Sequence, residues 1–156
     1  MREILFKAKR TDNGEWIEGY YIYHIRRTIC PFGDSVKPED EQHVIMQDGF
    51  SDWNMPRDTV FFNINPETLC QYTGLKDKNG NRIWENDVLH TPYRSKDDCI
   101  VVWDDGRFCF KTIHGQYNQD PMTLLSLCCV QKNVERLKVI GNIFDNQELL
   151  GRGGTE

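Results

Sequence analysis

The chain has 156 residues, of which 38% are hydrophobic, 12% aromatic and 28% charged, and it carries a formal net charge of -5. This composition excludes disordered and fibrous chains, and the length suffices for one ordinary domain or two small β modules with a genuine core. The acidic balance, with a pI near 5.4, weighs against a protein that grips phosphate backbones over a broad surface, which takes clustered Lys and Arg.

The opening MREILFKAKR has only Ile4, Leu5 and Phe6 before charge returns, and no apolar run approaches the ~20 residues that span a bilayer. A cytoplasmic protein without membrane contact is expected. Residues 1–30 are slightly basic, whereas Asp34 to Asp58 is strongly acidic. That polarity suits head-to-tail protein contacts, and it equally suits a solvated acidic loop.

In chain order, Glu3 to Arg10 and Glu15 to Ile25 read as a hairpin turned at Asp12-Asn13-Gly14. Aromatic or aliphatic groups occupy both faces of the second strand. Such a strand is sandwiched in a core or covered by a partner, which makes Tyr21 and Tyr23 a candidate oligomer surface. Residues 30–42 are loop, His43 to Gln47 is a short strand, and Asp48 to Asp58 is loop again, with Phe50, Trp53 and Met55 implying that it packs down onto something. Thr59 to Ile64 is β-branched and aromatic, hence strand, and ends at Asn65-Pro66.

Thr68 to Tyr72 is extended, Gly74 permits a bend, and Asn79-Gly80 turns the chain into Arg82-Ile83-Trp84. A second turn at Glu85-Asn86-Asp87 leads to Val88-Leu89. Cys99 to Trp103 and Arg107 to Ile113 form a hairpin over Asp104-Asp105-Gly106. Residues 123–130 (TLLSLCCV) suit either a strand or two helical turns. Leu137 to Phe144 is a strand with Gly141 as a bulge or close-approach point, and Asp145 caps a helical turn to Leu150. The pattern predicts a mainly β fold with little helix: an N-terminal antiparallel sheet over residues 1–65, a small β-barrel over 66–150, and a frayed tail at 151–156.

The chemistry-bearing residues form no catalytic constellation. Asp77, Asn79 and Asn81 fall at calcium-loop positions 1, 3 and 5, but Arg82 and Val88 stand where Gly and a bidentate Glu belong. His24, His43, His90 and His114 lack metal-ligand spacing, so neither metal nor cofactor is expected. The six cysteines (Cys30, Cys70, Cys99, Cys109, Cys128, Cys129) show no C-x-x-C pair and read as reduced core residues. Glu85 with Asp87, and Asp104 with Asp105, are already explained by turns. Tyr72, Trp84, Tyr93 and Trp103 could line a ligand groove or fill a core.

MREILFKAKRTDNGEWIEGYYI, NPETLCQYTGLKDKNGNRIWENDVL and LKVIGNIFDNQELL, in that order, resemble the opening hairpin, central signature and closing strand of the YopX family of bacteriophage and prophage proteins. The signature usually has Glu-Gly-Asp where this chain has Glu85-Asn86-Asp87, and Asn tolerates the left-handed turn that Gly adopts. The resemblance implies phage or prophage origin, an SH3-like barrel in the second half, and self-association; it implies no activity. A non-enzymatic protein binder is therefore expected, with itself and a host or phage protein as partners. Two rivals remain: a nucleic-acid binder using Arg26, Arg27, Lys76, Lys78 and Arg82, and a small enzyme with a site on loops 90–98 and 113–121.

Overall fold

The computed structural model describes residues 3–28, 32, 35–90, 98–113, 125–126 and 137–151. The chain divides into two compact units, Glu3–Gln71 and Tyr72 onward. The sequence places this boundary near residue 65; Cys70 and Gln71, beyond it, pair with Lys7 and Phe6 in the first unit.

In the first unit, β1 (Phe6–Lys9), β2 (Trp16–Ile25), β3 (Glu41–Asp48), β4 (Thr59–Asn63) and the start of β5 (Cys70–Lys76) lie in the order β4-β3-β2-β1-β5, all antiparallel. The β1–β2 hairpin turns at Gly14, whose φ of 72° is readily adopted only without a Cβ. Alternation sorts the two faces. Tyr21, Ile45 and Phe62 are cross-strand neighbours on one face, and Ala8, Ile17, Ile45 and Ile64 form the core there with Tyr21, Phe62 and Leu69 against them. Tyr20, Met46 and Phe61 make the corresponding row on the other face.

β2 and β3 approach closely at Gly19. A Cβ there would lie 2.3 Å from the Met46 carbonyl oxygen, so the position admits only glycine without a shift of the backbone.

In the second unit, β5 continues and pairs with β6 (Arg82–Trp84) through Tyr72↔Trp84 and Lys76↔Arg82, with a register shift around Gly74 at φ 87°. Then β7 (Asp87–His90), β8 (Cys99–Asp104), β9 (Arg107–Thr112), β10 (Leu125–Ser126) and β11 (Lys138–Asn142) form an antiparallel sheet in the order β10-β9-β8-β7-β11. Asp105 and Gly106 turn β8 into β9 with φ of 45° and 77°, as a two-residue hairpin loop requires. Ile83 and Leu75 of the β5–β6 hairpin pack against Leu89, Cys99, Val101, Phe108, Phe110 and Leu137, giving one apolar core.

Three expectations need correction. Where an SH3-like barrel is predicted the second half shows an antiparallel sheet, and among the described residues no sheet closes. Asn86, at φ 65°, donates its N–H to the Val101 carbonyl and accepts from the Ile143 N–H, which places β7 between β8 and β11 while β6 stays with β5. Phe50, Trp53 and Met55 do not pack down; they are 86%, 97% and 63% exposed. The closing turn is a 3-10 turn, Gln147–Leu149, that follows Asn146 rather than Asp145 and has no side-chain cap. Residues 123–124 and 127–130, and the tail beyond Gly151 that is expected to fray, lie outside the described residues, and Leu125–Ser126 is strand.

Candidate functional site

The candidate groove aromatics separate. Tyr72 and Trp84 face each other across β5 and β6 with ring centroids 5.3 Å apart, each 4% exposed, and the Arg82 guanidinium lies 5.6 Å from the Tyr72 ring. Both rings are core, not groove. Trp103 is half exposed, edge-on to Phe108 at 4.7 Å, and Tyr93 lies outside the described residues.

Tyr21 and Tyr23 share the inward side of β2. Tyr21 is half-buried, its hydroxyl 2.7 Å from His43 Nδ1, and its ring also meets Phe6 at 5.5 Å. Burial raises the Tyr21 phenol above its ordinary pKa, and the nearby Tyr23 and Glu41 charges push it the same way. Tyr23 is exposed and tilts onto His43 at 5.1 Å. The bare apolar groups on the sheet's other face are Tyr20, Ile22 and Phe61, with Met46 between Tyr20 and Phe61. Period-2 spacing alone marks these as one face; which face is covered depends on Ile64 and Leu69, far along the chain.

At the β3 start and β4 end of the same sheet lies a cleft of about 400 Å³, lined among others by Thr11, Arg26, Glu41, His43, Asn63 and Ile64. Glu41 Oε2 lies 3.6 Å from His43 Nε2. The Ile64 N–H bonds the His43 carbonyl, and the Thr11 N–H bonds the Asn63 carbonyl, so the cleft floor is backbone locked by hydrogen bonds. Prolines 38 and 66 supply rigid apolar walls.

At the opposite ends of these strands, the β3–β4 loop is a built projection. Gly49 N–H bonds the Asp58 carbonyl at 2.6 Å, and Arg57 pairs with Asp48 at 3.0 Å. Within it, Met55 N–H bonds the Asp52 carbonyl, Asn54 adopts φ 62°, and the Ser51 hydroxyl donates to the carbonyls of Asp52 and Met55. Trp53 stands at the tip.

The calcium-like turn serves structure. Asp77 is buried, its Oδ1 accepting from the N–H groups of Asn79 and Asn81, and its Oδ2 from the Asn81 amide and the Val139 N–H. Burial works to raise the carboxyl, but those donors outweigh it and hold Asp77 below the usual carboxylate range. Among the described residues no cluster of three His, Cys, Asp or Glu could hold a metal ion. Of the candidate enzyme loops, His90 Nδ1 sits 2.9 Å from Asp98 Oδ1 on the surface, while 91–97 and 114–121 lie outside the described residues. The basic residues named for nucleic acid are divided between the units, and Arg27 pairs with Asp40 at 2.6 Å.

The family model described as YopX protein matches residues 5–151. The chain belongs to the YopX family. Within the YopX match, residues 71–89 run from β5 through β6 and the turn at Asn86, with φ of 65°, into β7. A crystal structure of a protein from Enterococcus faecalis is similar at 22% identity, covering 96% of this chain and 99% of that one, with a TM-score of 0.44. No curated protein matches this YopX chain. Cys70, Cys99 and Cys109 are buried and form no disulfide. Among the described residues no helix is long and apolar enough to cross a membrane.

Proposed function

We propose that this YopX-family chain is a non-enzymatic, self-associating protein-binding module of phage or prophage origin, working in the cytoplasm of a bacterial host. One observation carries the reading. Of the exposed large apolar groups among the described residues, all but Trp103 and Leu150 belong to the first unit, where Tyr20, Ile22 and Phe61 share a sheet face and Phe50, Trp53 and Met55 share a loop. Concentrated exposure of this kind marks association surfaces.

The edge strand supports the same reading. β4 (TVFFN) has no Lys and no Pro, two of the devices by which natural edge strands avoid pairing with other chains. Light scattering across a size-exclusion peak of the untagged protein tests the proposal. A multiple of 18.4 kDa is expected; a monomer at the highest soluble concentration overturns it.

A further inference from the structure

We propose that Asn79 is a self-modification site: its carboxamide condenses with the Gly80 nitrogen, loses ammonia and hydrolyses to aspartyl and isoaspartyl residues, which unfastens the β5–β6 turn from β11. The inference is independent of the self-association proposed above.

The chemistry needs water and no other reagent. The backbone nitrogen of the residue after an asparagine attacks the side-chain carbonyl carbon Cγ. Its proton leaves with the side-chain amide as ammonia, and a cyclic imide remains. Water then adds to either imide carbonyl. Breaking the new N–Cγ bond gives aspartate; breaking the original peptide bond gives isoaspartate, in which the main chain runs through the side-chain carbon. A following glycine, which has no Cβ, leaves the attacking nitrogen uncrowded.

Asn-Gly occurs twice in the chain, at Asn13-Gly14 and Asn79-Gly80. Both asparagines are exposed. Gly14 and Gly80 have φ of 72° and 84°, each with open space where a Cβ would stand. Each glycine N–H is bonded to a carbonyl, Gly14 to Arg10 at 3.1 Å and Gly80 to Asp77 at 3.0 Å. The carboxamides differ. Asn13 is held at both ends, since Nδ2 donates to Glu15 Oε2 at 2.8 Å and Oδ1 accepts from the Glu15 N–H at 3.0 Å. At Asn79 only the backbone N–H is engaged, by Asp77 Oδ1, and the side chain bonds none of the described residues. Asn13 must therefore break two side-chain bonds before its Cγ can turn to the glycine nitrogen, and Asn79 breaks none.

The turn at Asn79 is also one where a backbone change does damage. Imide formation takes the Gly80 proton and with it the bond to the Asp77 carbonyl. The Asp77 N–H bonds the Asn81 carbonyl at 2.8 Å, and Asp77 Oδ1 gathers the N–H groups of Asn79 and Asn81 at 2.8 and 2.9 Å. An isoaspartyl linkage adds a carbon to the main chain inside that closure, so these bonds cannot all be kept. A new carboxylate at 79 also stands near the buried Asp77 carboxylate, and like charges repel. Asp77 Oδ2 holds the Val139 N–H at 3.2 Å, so a loosened turn frees the start of β11.

Ageing the full chain in mildly alkaline buffer, with peptide mass mapping at Asn13 and Asn79, tests this. The folded chain should convert amide to acid at Asn79 several-fold faster than at Asn13. Part of the product should accept a methyl group from S-adenosylmethionine through an isoaspartyl methyltransferase. In urea, where Asn13 is released, the two rates should converge. Aged wild type should unfold at lower urea than fresh protein, whereas aged Asn79→Ser, which keeps the backbone N–H at 79, should match its fresh sample. An unreacted Asn79, or Asn13 reacting as fast in the folded chain, overturns the inference. A rate ratio that persists in urea overturns its structural cause, and a chain converted at 79 with an unshifted midpoint overturns the link to β11.

Discussion

Asp77 Oδ2 accepts a hydrogen bond from the backbone N–H of Val139 at 3.2 Å, joining the turn between β5 and β6 to strand β11 across 62 residues. The Lys78 N–H bonds the Leu137 carbonyl beside it, so the β5–β6 turn and the start of β11 are held at two points. Replacing Asp77 with Ala strands four donors and should cost about 3 kcal/mol of stability, measured by urea unfolding at pH 7.

The same carboxylate sets a pH dependence. Its pKa is depressed on folding, so its contribution is complete above the unfolded value, about 3.9, and is lost as pH falls through the lower folded value. The stability gap between wild type and Asp77→Asn should therefore be widest near neutrality and shrink below about pH 4. A gap that widens on acidification would contradict this origin.

Gly19 and Gly14 should respond differently to the same methyl group. At Gly19 the new Cβ meets the Met46 carbonyl, and Gly19→Ala should cost about 2–3 kcal/mol through a forced separation of β2 and β3. At Gly14 the space is open and only the φ of 72° resists, so Gly14→Ala should cost about 1 kcal/mol. Thermal unfolding of the two variants ranks them.

Asn86→Gly should change stability by less than about 1 kcal/mol, because glycine adopts φ 65° freely and the backbone bonds to Val101 and Ile143 persist. Asn86→Val should lose about 2 kcal/mol, since a β-branched residue is strained in that region. Chemical denaturation of the pair reads the difference directly.

Tyr21 should be among the late phenols to ionise. Its folded pKa is raised by burial first, so the stability tied to it is complete below about pH 10 and declines as pH climbs through the raised value. In an absorbance titration near 295 nm, Tyr21→Phe should remove amplitude from the high-pH end. Loss of amplitude at or below the free-tyrosine range would refute the burial argument.

Local signals were legible because their causes are local. Asp105-Gly106, Asn79-Gly80 and Gly14 turn where the sequence placed turns, since positive φ is a property of single residues. In β11 the register shift falls between Val139 and Gly141, and Gly141 is a close-approach point, where a Cβ would lie 2.3 Å from Asn146 Oδ1. What needed the fold was the choice between faces and partners. Tyr20 and Tyr21 look alike in a strand apolar on both sides, and only the distant Ile64 and Leu69 decide that Tyr21 is covered. Tyr72 and Trp84 read as groove or core until Trp84 N–H is seen bonded to the buried Asp87 carboxylate. Trp53 was misplaced for the opposite reason: aromatic residues usually pack, and nothing in FSDWNMP says that the loop projects.

Cys70 lies in the first unit and Cys99 and Cys109 in the second, all three buried and in no disulfide. A thiol reagent reaches such groups only when the surrounding structure opens, so the rate at which each is alkylated under native conditions measures an opening free energy. Peptide mass mapping resolves the three sites, and Cys70 against Cys99 and Cys109 then compares the two units within one molecule. The sequence thus carries its own reporters: slow, equal labelling would mean that both units open in one cooperative event, and faster labelling of Cys70 would mean that the half bearing the exposed aromatics unlatches first.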